Sequence, residues 1–167
     1  MATYIQIGST VTVGAGGAAN ITFSSIPSTY TDLKLVASLR GDAAQILLKV
    51  QPNGDTTGLS RRSVYTDNGT GAYSGSASDS FAAFINSSAY TASTFSNMEI
   101  YFPNYAGSTA KSYSVDMVGE NNATTTIMGL IAGLDTTTAA ISSIVLTPNS
   151  GNIVQYSTAS LYGISKS

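Results

Sequence analysis

The stretch Leu33-Lys-Leu-Val-Ala-Ser-Leu-Arg40 reads as a half-buried strand: Leu33, Leu35, Ala37 and Leu39 fall on one face, with Lys34, Ser38 and Arg40 opposite. Successive side chains of a strand point to opposite faces, so a period of two buries one side and wets the other. The same period recurs further along. Met98, Ile100 and Phe102 alternate with Glu99 and Tyr101, and Tyr113, Val115 and Met117 alternate with Ser112, Ser114 and Asp116. Residues 141–147 and 158–164 are rich in β-branched side chains and bounded by turn formers. Residues 4–13, 20–24, 46–51, 80–86 and 126–132 are further strand candidates. About nine or ten short strands at this spacing point to a sandwich or barrel.

The punctuation agrees. Asn53-Gly54, Asn68-Gly69 and Pro148-Asn-Ser-Gly151 are turn signals, because Asn and Gly tolerate positive φ. Gly14-Ala-Gly-Gly17 connects the first two strands. Helix signals are scarce: residues 43–50 and 78–92 are ambiguous and are read as strand or irregular. Residues 56–80 are rich in Gly, Ser, Thr, Asp and Tyr and poor in aliphatics after Leu59, and are read as one long variable loop, functional or mobile. No internal repeat is visible, which disfavours a propeller or β-helix. The expectation is an all-β, antiparallel, jelly-roll-like β-sandwich spanning residues 1–167 as one domain, with residues 1–19 as an N-terminal arm or strand.

Composition narrows the chemistry. The 167 residues include no His, Cys or Trp, seven basic and nine acidic side chains, and 43% hydrophobic residues. A chain this long buries roughly 70% of its unfolded surface, so a substantial core needs no staples. Disordered chains pair low hydrophobicity with high net charge, whereas the net charge here is −2. Phosphate binding needs clustered cations, and only Arg61-Arg62 are adjacent, so no nucleic acid partner is expected. Without Cys there are no disulfides, thiolate metal sites or thiol nucleophiles. The first eight residues, Met-Ala-Thr-Tyr-Ile-Gln-Ile-Gly, lack a basic region and an apolar stretch, so no secretory leader is expected. No apolar run approaches the ~18 residues of a membrane helix.

Individual motifs resolve mostly into turns. Glu99, Asp116 and Glu120 are the carboxylates that a glycosidase pair would need around a sugar, but Asp116 lies on an outer strand face and Glu120 begins a turn. Asn53-Gly-Asp55 and Asp67-Asn-Gly-Thr70 carry hard oxygen ligands without the spacing or ligand count that calcium demands. No metal and no cofactor are expected. Arg40-Gly-Asp42 is an adhesion word that also simply ends a strand. Glycan acceptor sequences at Asn20, Asn68, Asn86 and Asn122 are no more than chance gives in a chain so rich in Asn, Ser and Thr. With no His to serve as base, a Ser-His-Asp triad is unavailable, and no enzymatic activity is expected. Arg61 and Arg62 could clamp a carboxylate bidentately. Ten Tyr beside small polar residues suit adaptable protein–protein contacts, and Tyr65 and Tyr73 would also suit stacking on carbohydrate. Arg61, Arg62, Tyr65 and Tyr73 are therefore the candidate partner or glycan contacts.

Four stretches also carry a family likeness: Ile21-Thr-Phe-Ser-Ser-Ile-Pro-Ser-Thr-Tyr-Thr-Asp-Leu-Lys-Leu35, Phe95-Ser-Asn-Met-Glu-Ile-Tyr-Phe-Pro-Asn-Tyr-Ala-Gly-Ser-Thr-Ala-Lys-Ser112, Val118-Gly-Glu-Asn-Asn-Ala-Thr124, and Ile144-Val-Leu-Thr-Pro-Asn-Ser-Gly-Asn-Ile-Val154 with Ser160-Leu-Tyr-Gly-Ile164. In this order they resemble a family of tailed-bacteriophage virion structural proteins. The resemblance covers most of residues 20–165 and leaves residues 56–80 outside it. It implies a non-enzymatic virion protein, a decoration or cement protein on the outer surface of the phage head, with the major capsid protein as partner and a homotrimer matched to the lattice. It transfers no catalytic residue. The alternative is a host-recognition module on a fibre or appendage, binding surface glycan through residues 56–80. A chain with no coiled-coil stalk or collagen-like shaft favours the first, and neither version involves a membrane.

Overall fold

The computed structural model describes residues 2–44, 47–67, 71–121 and 124–165. These contain twelve strands and no helix: β1 (Thr3–Thr12), β2 (Ile21–Phe23), β3 (Asp32–Leu39), β4 (Leu47–Pro52), β5 (Leu59–Asp67), β6 (Gly71–Ala77), β7 (Phe81–Phe84), β8 (Ser96–Phe102), β9 (Lys111–Asn121), β10 (Thr125–Asp135), β11 (Ile144–Pro148) and β12 (Thr158–Ser165). They form an eight-stranded sheet in the order β1-β12-β3-β8-β9-β10-β5-β6 and a four-stranded sheet in the order β2-β11-β4-β7. Every paired strand is antiparallel.

The wiring is that of a jelly roll with two additions. Setting aside β5, β6, β9 and β10 leaves β1-β12-β3-β8 facing β2-β11-β4-β7. Each connection between these eight strands crosses from one sheet to the other except that from β4 to β7, which are neighbours in the small sheet; this is the double Greek key of that architecture. The hairpin β5–β6 is inserted between β4 and β7, and the hairpin β9–β10 between β8 and β11. Both add to the same edge, so the large sheet overhangs the small one.

The core sits where the two four-strand layers overlap. Leu33, Leu35, Ala37 and Leu39 of β3 all point inward, as their alternation dictates. They meet Ile21 and Phe23 of β2, Leu48 and Val50 of β4, and Ile144 and Leu146 of β11 in one continuous buried cluster. Burying each such side chain is worth about 1.5–3 kcal/mol. The motif Pro103-Asn-Tyr-Ala-Gly107 is structural: Asn104 adopts φ 47° and its carbonyl accepts from the Gly107 amide at 3.0 Å. That turn drives Tyr105 into the core, where its hydroxyl donates to the Pro27 carbonyl.

Three expectations change. Residues 56–80 are not one long loop, because Leu59–Asp67 and Gly71–Ala77 pair in unbroken register as the β5–β6 hairpin. The alternation there is masked because neither face of β6 is buried and only part of β5 is. The Asn68-Gly69 turn signal between them lies outside the described residues. The strand expected over 141–147 begins only at Ile144. Asn53 holds the residues before it: its Oδ1 accepts from the Ser142 amide at 2.8 Å and the Ser143 amide at 3.2 Å, and its Nδ2 donates to the Ala140 carbonyl at 3.0 Å. Finally, β10 runs past the expected 126–132 to Asp135.

Candidate interaction surface

Among the longer strands, β10 stands out in being apolar on both faces from Ile127 to Leu134. Ile127 and Ile131 point into the sandwich, while Met128, Leu130 and Leu134 point out and are exposed. A strand in an antiparallel sheet with one wet face normally alternates apolar with polar, and near-continuous apolar runs belong to strands covered on both sides. The inward row admits the large side chains of β9. A Cβ on Gly133 would run into the Tyr113 ring, and one on Gly129 would lie 3.0 Å from the Met117 sulfur. Small residues in β10 thus leave room for Tyr113 and Met117 to lie against it on the inner side.

Register extends the outer apolar row across the sheet. Leu130 lies opposite Val64 of β5 on one side and Asp116 of β9 on the other. Val64, Leu130 and Met128 are 55%, 52% and 45% exposed. Val118 of β9 lies opposite Met128 and is exposed as well. Together with Ser74, Ser76, Ser114 and Ala132 these strands shape a shallow groove of about 880 Å³. Arg62 stands at its β5 margin and Asp116 at its β9 margin. Among the described residues Asp116 has no hydrogen-bond or ion-pair partner, and the Arg62 guanidinium meets only the Arg61 carbonyl, at 3.0 Å. The groove therefore has an apolar floor and two uncommitted opposite charges.

The pleat separates the residues singled out from the sequence. Arg61 and Tyr65 point to the inner side of the large sheet, as does Tyr73, which lies opposite Tyr65; Arg62 points outward. Arg61 clamps a carboxylate bidentately, but its own: Nε donates to Asp79 Oδ1 at 2.7 Å and Nη2 to Oδ2 at 3.4 Å. Tyr65 is wedged between Tyr73 and Phe84, with ring centroids 5.6 and 5.1 Å away. Tyr73 keeps one ring face to solvent and is 45% exposed. Beneath them lies a pocket of about 190 Å³ lined by Leu47, Arg61, Tyr65, Phe81, Phe84 and Ile131.

Other motifs are absorbed by the fold. The buried Arg40 guanidinium donates to the Thr91, Thr94 and Tyr90 carbonyls at 2.7, 3.1 and 3.2 Å, and Asp42 accepts from the Asn152 amide at 2.7 Å. Asp55 accepts from the Thr57 amide at 2.9 Å and the Gly58 amide at 3.0 Å. The Thr57 amide leads in holding its carboxyl below the usual value. Glu99 and Asp116 are directly opposite on β8 and β9, a like-charge pair that Lys34 relieves at 2.7 Å from Glu99. Glu120 accepts from Thr94 Oγ1 at 2.7 Å and Thr91 Oγ1 at 3.1 Å. Of the glycan acceptor positions, Asn86 is buried, and Asn68 and Asn122 lie outside the described residues. Asp67-Asn-Gly-Thr70 likewise runs largely outside them.

Met128, Leu130, Leu134 and Val118 were not singled out by motif reasoning. The signal that finds them is the two-faced apolar run Ile127-Met-Gly-Leu-Ile-Ala-Gly-Leu134, eight residues without a charge or hydroxyl. In comparison with known proteins, no family model, curated protein or solved structure matches the chain.

Proposed function

We propose that this chain is a non-catalytic structural protein of a tailed-phage virion, a decoration protein that lies on the outer surface of the head. The outer face of β9, β10 and β5 would bear on the major capsid protein. The observation that carries this is β10 itself, built like a strand covered on both sides while one side stays open. The ordered sequence words that resemble those of phage virion proteins support the choice of partner. So does the low charge, which costs solubility in a free protein and suits one held in an assembly.

Magnitudes set the mode of binding. Covering the remaining exposed area of Val64, Met128, Leu130 and Leu134 is worth about 1 kcal/mol each, half of full burial. Association costs at least about 4 kcal/mol in lost freedom, so this floor alone gives weak binding. Arg62 and Asp116 must find opposite charges on the shell, or several copies must bind together. Because such a protein binds the assembled shell and not its unfolded parts, it stabilises the shell by mass action. Cryo-electron microscopy of the particle tests the proposal: density for the sandwich is expected on the head, with β9, β10 and β5 toward the shell. Density on the tail, or the opposite face toward the shell, would refute it.

A further inference from the structure

The two sheets have four edges, and three are guarded. β1 is interrupted by a register shift between Ile7 and Val11, with Gly8 at φ 69°. β2 has only three residues. β7 has four, and its pairing with β4 slips between Leu48 and Lys49. Short edges and bulges are the usual devices that stop one sheet from extending into another, along with charges and prolines. β6 has none of them. Gly71-Ala-Tyr-Ser-Gly-Ser-Ala77 is seven residues long, uncharged, without proline and in unbroken register with β5; five of its residues are exposed, and Gly75 and Ala77 are half-buried.

We infer that β6 is a docking edge for β6 of a second copy of this chain, joined antiparallel about a two-fold axis at Ser74. The strand is self-complementary in that register. Ser74 faces Ser74 of the second copy, and Tyr73 faces its Gly75. Ala72 faces Ser76, and Gly71 faces Ala77. No charge meets a like charge, and each Tyr73 ring covers a glycine. The two Tyr73 rings become diagonal neighbours on one face, within reach of aromatic side chains. The existing Tyr65–Tyr73 stack then extends to four rings, and the open ring face of Tyr73 is covered. The main-chain groups of the edge supply affinity, as in other strand-addition complexes, and the self-matching patch closes the assembly at two copies. The axis stands perpendicular to the sheet, so both apolar grooves face the same way. This inference does not depend on the shell as partner, and its test uses the chain alone.

The test is sedimentation of the full chain at micromolar concentration, with two variants. The native chain is expected to sediment as a dimer. Ser74→Lys sets two cations opposite each other on an exposed edge, and is expected to sediment as a monomer with an unchanged circular-dichroism spectrum. The chain has no native cysteine, so Ser74→Cys offers one thiol per copy. It is expected to be captured as a covalent dimer by a short bis-maleimide, while Gln6→Cys on the opposite edge is not. A native monomer or trimer, a dimer that survives Ser74→Lys, or equal crosslinking from both edges would overturn the inference.

Discussion

Tyr113 carries a hydroxyl that the fold leaves without a hydrogen-bond partner. Burial first, and the nearby Asp135 carboxylate second, push its pKa up to about 12. The folded chain therefore holds this proton where the unfolded chain, near 10, releases it. Stability from this group is intact below pH 10 and falls as pH rises toward 12, by about 2–3 kcal/mol for two units. Tyr113→Phe keeps the ring over Gly133 and against Phe102, 5.2 Å away. It is expected to raise stability at neutral pH by about 1 kcal/mol, since an unpaired buried hydroxyl costs that much or more. It should also flatten the alkaline decline. Urea unfolding at pH 7 and pH 11 checks both, and an unchanged pH slope would count against the assignment. Gly133→Ala forces the Tyr113 ring to move and is expected to cost about 1–3 kcal/mol, the usual overpacking range. A double-mutant cycle with Tyr113→Ala should recover much of that loss, because the two positions touch.

At the scale of elements, the irregular segment before β11 hangs on one side chain. Asn53 sits at φ 51° and ties residues 140, 142 and 143. Asn53→Ala removes four side-chain hydrogen bonds, that of the Ser142 hydroxyl at 3.3 Å included, and leaves Ala at a positive φ where Asn, Asp or Gly is more at ease. It is expected to lower stability by about 2–4 kcal/mol, with Asn53→Gly costing less; thermal unfolding of both variants separates the bonds from the backbone. The same contrast explains what was legible beforehand. β3, β8, β9 and β12 announce themselves because one face of each is core and the other water. Leu33 to Leu39 could be assigned a face from the sequence alone. β5 and β6 could not, since the overhang leaves Arg61 and Tyr65 half-covered on either side of the buried Ser63, a face where polar and aromatic residues are equally tolerated. The strand character of β5 comes from pairing with β10, a contact between residues far apart in sequence, and β6 then pairs with β5 alone. The site residues show the same divide. Arg61 and Arg62 are adjacent in sequence and therefore on opposite faces once in a strand. The Arg61 partner, Asp79, lies beyond a hairpin whose two strands lack a clear apolar alternation, although Asn68-Gly69 signals a turn between them.

For the whole molecule, the distribution of apolar surface is more informative than its amount. The core is closed under the small sheet, yet the outer side of the overhanging strands repeats an interior pattern around Leu130. Arg62 and Asp116 flank that pattern, so docking there is expected to weaken with salt in proportion to how exposed the new ion pairs remain. For the proposed docking on a phage head, the most direct measurement is co-sedimentation of the protein with empty heads of the phage proposed to encode it, comparing the native chain with Leu130→Lys. Leu130 is on the outer face, so the substitution is expected to leave melting unchanged. The native chain should pellet with the shells and saturate, and Leu130→Lys should stay in the supernatant. A native chain that stays in the supernatant, or a Leu130→Lys chain that pellets equally well, would contradict the docking of this face on the capsid.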